Sequence, residues 1–240
     1  EKLIPNMSKG STDKVSKQLV YARENGLLPW AWVVDETREA ERISTWDNPE
    51  EIIAAAVNGY RKDYWSMQPN WVEVWSEKGT IRGTLSPILK KYGVTFRVMH
   101  GYGSATALHG IAEETADNDK ALTVLYVGDW DPSGMQMSEI DIPDRLQRYG
   151  GAASIKRVAL DRRDVQPGTD LPFFEATDKS KDPRYQWFRE NYGAKCWELD
   201  ALSPVVLRER VEAQIVALLD RDAWNHANAI EKAETVSTKS

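Results

Sequence analysis

The spacing of apolar and polar positions changes character near residue 70 of this chain. Over residues 11 to 25, "STDKVSKQLVYAREN", Val15, Leu19 and Ala22 recur at helical spacing behind a Ser/Thr start, with Gly26 as a stop. That predicts a helix in which Tyr21 packs. "LPWAWVVDETR" reads as a short strand or extended turn. "WDNPEEIIAAAVNGY" opens a second helix, with Asp47 as cap, Pro49 in the first turn and Glu50 completing a capping-box pattern. Beyond residue 70, apolar runs of strand length alternate with helical periodicity. The runs are "WVEVWS" (71–76), "VTFRVM" (94–99), "ALTVLYVGD" (121–129) and "SIKRVAL" (154–160), with "KCWELD" (195–200) as a fifth. The third is a continuous β-branched and aliphatic run of the kind buried on both faces. Between the runs lie "TIRGTLSPILKKYG", apolar at Ile81, Leu85 and Leu89 with a bend expected at Pro87, and a helix starting near Ser104. After them comes "SPVVLRERVEAQIVALL", with a Ser cap, a Pro in the first position and a stripe of Val206, Val211, Ile215 and Leu218. This is the grammar of an α/β fold, a parallel sheet of about four to five strands covered by helices. The final "EKAETVSTKS" is expected to fray.

Composition narrows the setting. The chain has 240 residues, 41% of them hydrophobic, enough to bury a proper core. One cysteine, Cys196, excludes an internal disulfide, and three histidines without a second cysteine leave no zinc-ligand spacing. A reducing, cytoplasmic setting is expected. No apolar run approaches the ~20 residues that span a bilayer, and no signal-peptide pattern opens the chain. The opening "EKLIPNMSKGSTDK" reads as the interior of something longer. Six of the ten tryptophans fall between Trp30 and Trp75, and the expectation is a packed aromatic junction rather than a base-stacking platform. A net charge of -6 argues against wrapping nucleic acid through bulk positive charge. It leaves open a local phosphate site where metal ions supply that charge.

Ligands of a parallel sheet gather beyond the carboxyl ends of its strands. The residues there are Ser76, Glu77 and Lys78; "HGYGSA"; Asp129 and Asp131; and "DRRD" (161–164). Residues two apart in extended chain point to one side, so Asp129 and Asp131 place their carboxylates together while Trp130 points away. Glu77 joins them from a neighbouring strand. Three crowded carboxylates call for a hard cation, and oxygen-only ligands suit Mg2+ or Mn2+. Pro132 to Gly134 make a turn into a helix start at Ser133, whose free amides favour an anion such as a phosphate. An Asp-X-Asp alone serves equally well as loop solvation and capping; Glu77 shifts the reading towards a metal. Lys78, Arg82, His100, Arg162 and Arg163 are candidate nucleic-acid contacts, each also readable as an ordinary solvated or loop side chain.

Taken together, "VEVWSEKGTIRGTL", "MHGYGSA" and "LYVGDWDPSG" resemble the Toprim domain of topoisomerase VI A subunits and their meiotic double-strand-break relatives. There a strand-end Glu precedes a hydrophobic strand ending in Asp-X-Asp-Pro-X-Gly. "CWELDALSPVVLRERV" is similar to the segment closing these domains in phage and mobile-element members. The resemblance covers about residues 66–220, with 1–65 as a partial winged-helix-like segment and 221–240 as a helix end and tail. It implies Glu77, Asp129 and Asp131 as an acidic triad, Mg2+ or Mn2+ as cofactor, and DNA, a second copy and an ATPase subunit as partners. The activity implied is metal-dependent phosphodiester cleavage or transfer, with Glu77 sharing the metal or acting as general acid and base. In those relatives a tyrosine on the winged-helix domain attacks. Tyr21, Tyr60 and Tyr64 do not qualify, so the attacking tyrosine is expected before Glu1. Two alternatives stand: a non-catalytic Toprim module that binds DNA or protein, and a haloacid-dehalogenase-type phosphatase with Asp129 as nucleophile. Against the phosphatase, the motif comes halfway along the chain, and Ser133 stands where Thr or Val is usual.

Overall fold

The computed structural model describes residues 9–32, 44–99 and 105–239. Helix α1 (Lys9–Glu24) agrees with its apolar spacing, but Tyr21 on it is 57% exposed and does not pack as expected. The expected strand after it is instead a 3-10 turn at Trp30–Trp32, and residues 33–43 of that stretch lie outside the described ones. Helix α2 (Pro49–Gly59) is capped one residue later than its sequence suggests. Asn48 accepts from the Glu51 amide, and the Glu51 carboxylate reaches back to the Asp47 amide. Pro49 needs no amide partner in that first turn, so the cap settles directly before it. The tryptophans do not form one junction: Trp30, Trp32 and Trp46 are exposed, while Trp75 is wholly buried.

The four principal runs become β1 (Trp71–Ser76), β2 (Thr95–Val98), β3 (Leu122–Val127) and β4 (Ala153–Ala159). They pair in the order β2-β1-β3-β4, all parallel. Period-two alternation splits their side chains between two cores. Val72 and Val74 of β1 and Leu125 and Val127 of β3 face one core. Its other side is α3 (Arg82–Tyr92), through Leu85, Ile88 and Leu89, and α8 (Pro204–Leu218), through Leu207, Val211 and Ile215. Trp75, Leu122, Val124 and Tyr126 face the other core, with Leu108 and Ile111 of α4 (Ala105–Ala116) and Ile142 and Leu146 of α6 (Ile142–Arg148). The result is a Rossmann-like α/β layer structure with helices on both faces of the sheet.

The connections explain where a site belongs. β1 leads through α3 to β2 on one side, whereas β2 leads back through α4, on the opposite face, to β3 on the other side of β1. Right-handed crossovers demand that change of face when the direction of travel reverses. A crevice therefore opens between the carboxyl ends of β1 and β3, the switch point of the sheet.

Two further elements depart from expectation. "KCWELD" does not extend the parallel sheet. Only Lys195–Cys196 is a strand, β6, and it pairs antiparallel with β5 (Phe174–Glu175) in a small separate ladder. The tail expected to fray continues as helix α9 (Arg221–Lys239). It is joined to the sheet end by paired hydrogen bonds between the Gln68 amide and the backbone of Asp220. No described helix is long and apolar enough to cross a membrane.

Candidate functional site

The loop after β3 is fixed before any side chain of it acts. Gly128 donates its amide to the Ala159 carbonyl and accepts the Leu160 amide at the end of β4, and Trp130 exchanges two more hydrogen bonds with Trp197, at 2.9 and 3.0 Å. From β4, the Arg157 guanidinium donates to the carbonyls of Gly128, Asp129 and Leu160 while lying over the Tyr126 ring. Asp131 caps the short helix α5 (Pro132–Gln136) by accepting the Gly134 amide at 2.7 Å. That amide, expected to be open to an anion, is thus already taken by a carboxylate. Gly134 itself is dictated by closeness: a Cβ there would sit 2.4 Å from the Asp129 carbonyl oxygen. Downstream, Pro143 can donate no amide to the preceding turn, and a π-helical turn at Met137–Asp141 carries the chain into α6.

This scaffold gathers charge at the switch point. Asp129, 7% exposed, accepts the Leu199 amide at 2.7 Å and the Lys78 ammonium at 3.0 Å, both on Oδ1. Asp131, 4% exposed, turns its Oδ2 to the Lys179 ammonium at 3.2 Å. Lys78 is held at once by Asp129, by Glu198 at 2.5 Å and by Asp200 at 3.5 Å. Glu77, half-buried, has no hydrogen bond or ion pair with another described residue, yet it feels the charges of Asp131, Lys78, Arg184 and Lys179. Arg184 in turn donates to Asp182 and to the Ser133 hydroxyl.

Burial raises the proton affinity of Glu77, and the neighbouring Asp131 raises it further. Burial likewise pushes Asp129 up to about 7, with Glu198 reinforcing it, in spite of Lys78 and the Leu199 amide. Lys78 is held above its ordinary range by Asp129 and Glu198, although burial opposes its charge. These directions are compatible because one ammonium is divided among three carboxylates. The sharing is unequal: Glu198 is held below its ordinary range by Lys78 and Lys179 in spite of burial, while at the more deeply buried Asp129 burial outweighs the same ammonium.

The structure thus brings together Glu77, Asp129, Asp131 and Lys78. Among the described residues, Arg82, Arg162 and Arg163 make no hydrogen bond or ion pair with this cluster. Arg82 is exposed beside the Phe96 ring, Arg163 is exposed and paired with Asp161, and Arg162 is exposed. His100, with Gly101 and Gly103, lies outside the described residues. Sequence reasoning missed Glu198, Lys179, Arg184 and Arg157. Glu198 follows the apolar "KCW" run, so the strand-end rule applied to the fifth run would have found it. Arg157 is one of two adjacent cations in β4, and period-two alternation puts it on the covered side with Ile155 while Lys156 is exposed. Lys179 and Arg184 carry no local signal, since only the tertiary fold returns the one to Asp131 and the other to Ser133.

Comparison with family models, curated proteins and solved structures returned no match. The chemistry must therefore be judged on the site itself. The donor set is made of carboxylate oxygens, which suits a hard divalent cation. Among the described residues, the Glu77 carboxylate is uncommitted, and the buried Tyr126 hydroxyl, within electrostatic reach of Glu77, Asp129 and Asp131, has no hydrogen-bond partner. Among the described residues no three His, Cys, Asp or Glu side chains converge tightly enough to cage an ion, and Lys78 and Lys179 supply positive charge instead. The residues fit such a cation in donor chemistry and in their demand for charge. Binding would require the two lysines to yield.

Proposed function

We propose that this crevice assists phosphodiester cleavage or transfer in DNA with Mg2+ or Mn2+, as a Toprim-type domain of the topoisomerase and nuclease kind. The observation that carries the reading is the meeting of Glu77, from the end of β1, with Asp129 and Asp131, from the end of β3, at the switch point of the sheet. A bound divalent cation supplies Lewis-acid polarisation of the phosphate and charge stabilisation at the leaving oxygen. Asp129, Asp131 and Glu77 are the residues that would hold it. Glu77, with its raised proton affinity, is also suited to hold a proton for the leaving 3′ oxygen. Lys179 and Arg184 bring positive charge to the same side for a phosphate. Partner copies and an ATPase subunit belong to this reading, as does a cytoplasmic setting, which suits the buried thiol of Cys196.

A second reading, a DNA- or protein-binding module without turnover, is favoured by one observation: Asp129 and Asp131 are paired with the ammonium groups of Lys78 and Lys179. A supercoiled-plasmid assay of the full-length protein with Mg2+ or Mn2+ separates the two. The catalytic reading expects nicked or linear product that Glu77→Ala abolishes. Protein-linked ends would identify tyrosine chemistry and free ends hydrolysis. Retarded but uncut plasmid, identical for wild type and Glu77→Ala, would sink the catalytic reading and leave the module.

A further inference from the structure

We propose that Glu198 is a positioning residue of this site: with Asp200 it forms an alternative dock for Lys78, drawing the ammonium off Asp129 when a divalent cation binds. The inference rests on the metal reading above and concerns how the site makes room. An ammonium and a divalent cation on one carboxylate oxygen are like charges about 4 Å apart, a repulsion of several kcal/mol even at an effective dielectric of about 20. Either the lysine leaves or the cation does not enter.

The structure supplies a place for the lysine to go. Its Nζ lies 3.0 Å from Asp129, 2.5 Å from Glu198 and 3.5 Å from Asp200. A short swing of a flexible four-carbon stem releases Asp129 without leaving the ammonium unpaired in a half-buried place. The dock cannot drift away, because the Trp130–Trp197 backbone pair and the Leu199 amide on Asp129 tie the 197–199 segment to the aspartate loop. The backbone of Lys78 is likewise fixed, its amide donating to the Ser76 hydroxyl at 3.1 Å. Lys179 has no such second dock: among the described residues its one ion pair is with Asp131, and being 39% exposed it can retire to water.

The test is a double-mutant cycle on Mg2+ and Mn2+ affinity, measured by titration calorimetry at pH 8 on the purified chain. It compares wild type, Lys78→Met, Glu198→Gln and the double variant, with thermal melts to check folding. Lys78→Gln, which keeps a polar terminus, runs in parallel with Lys78→Met. Lys78→Met should tighten Kd roughly tenfold, and Glu198→Gln should weaken it roughly tenfold, each tenfold step being about 1.4 kcal/mol. The double variant should bind as tightly as Lys78→Met alone, since Glu198 has nothing left to hold. If Glu198→Gln weakens binding equally in the Lys78→Met background, Glu198 is a direct ligand and the positioning role is overturned. If Glu198→Gln changes nothing in wild type, it is overturned too. Wild type that binds neither ion at millimolar concentration, indistinguishable from Asp129→Ala, is a different signature: it removes the metal reading and this inference with it.

Discussion

Replacing Asp129 by Asn should stabilise the metal-free protein above neutral pH. The substitution keeps the shape and an oxygen to accept the Leu199 amide, and it removes a charge from a side chain only 10% exposed. In the folded chain that carboxyl titrates at about 7, against about 3.9 for an unfolded aspartate. Because the folded value is the higher one, the group's contribution to stability is complete below about pH 3.9 and is lost as pH rises through about 7. Three decades of proton affinity set a ceiling of about 4 kcal/mol on that loss at pH 8. Asn also forfeits the Lys78 contact, and Glu198 and Asp200 retain the lysine. A net gain of about 1–2 kcal/mol remains, or roughly 2–8 °C in Tm for a chain of this size. The assay is thermal and urea unfolding in EDTA at pH 5 and pH 8. The variant should be the more stable at pH 8, with the advantage shrinking towards pH 5. Adding Mg2+ should reverse the order, since a ligand that binds only the folded wild type stabilises only that protein. A variant less stable than wild type at both pH values in EDTA would refute the reasoning and make Lys78–Asp129 a structural ion pair.

Two other substitutions probe the scaffold. Gly134→Ala drives a methyl to 2.4 Å from the Asp129 carbonyl and should cost about 1–3 kcal/mol, with divalent-cation affinity falling alongside stability. Gly110→Ala, a helix position with open space around it, should be neutral or stabilising by up to about 1 kcal/mol; equal losses in the two unfolding curves would show that close approach is not what selects glycine at 134. Arg157→Met leaves the carbonyls of Asp129 and Leu160 without their guanidinium donor and should cost about 3 kcal/mol in urea unfolding. A cost under about 1 kcal/mol would mean that the aspartate loop holds itself in place.

What could be read from the sequence divides along a physical line. β1 and β3, the central strands, emerge within a residue or two of their apolar runs because both of their faces are covered, so most of their length is written in apolar side chains, whereas β4 at the edge is only partly covered, with Ser154 and Lys156 exposed. "KCWELD" has the same look over a shorter span, but the apolar character of Cys196 and Trp197 comes from packing under the aspartate loop and not from a place in the main sheet. Glu77, Asp129 and Asp131 were legible for the same reason as the strands: a strand end fixes where the next side chains arrive. Lys179 comes from a 3-10 turn and Arg184 from just before α7 (Tyr185–Tyr192), in a region whose path depends on long-range packing, so no local pattern announced them. The tryptophans misled because aromatic density along a chain says nothing about whether the rings meet. Trp30 instead lies under Arg23, while Trp75 donates to the buried Glu73.

The arrangement of the cations carries the strongest physical constraint on how such a site can work. The carboxylates of Asp129, Asp131 and Glu198 sit on backbone that is pinned: Asp129 by Arg157, Asp131 between the Trp130–Trp197 pairing and the Met135 amide, and Glu198 between Trp197 and Leu199, whose amide bonds Asp129. Both nearby lysines reach in on flexible stems. Fixed acids with movable counter-ions make a site whose negative charges stay in place while its positive charge is exchangeable. Fixed cations with movable acids would do the opposite and would accept an anion more readily than a metal. Since holding ligands in advance lowers the reorganisation needed when charge develops, this polarity favours an incoming cation over an incoming phosphate as the first event. Order-of-addition experiments follow directly. DNA affinity at low salt should rise with Mg2+ in wild type and show no Mg2+ dependence in Asp129→Asn. A DNA affinity that ignores Mg2+ in both would place the lysines, and not a metal, at the phosphate.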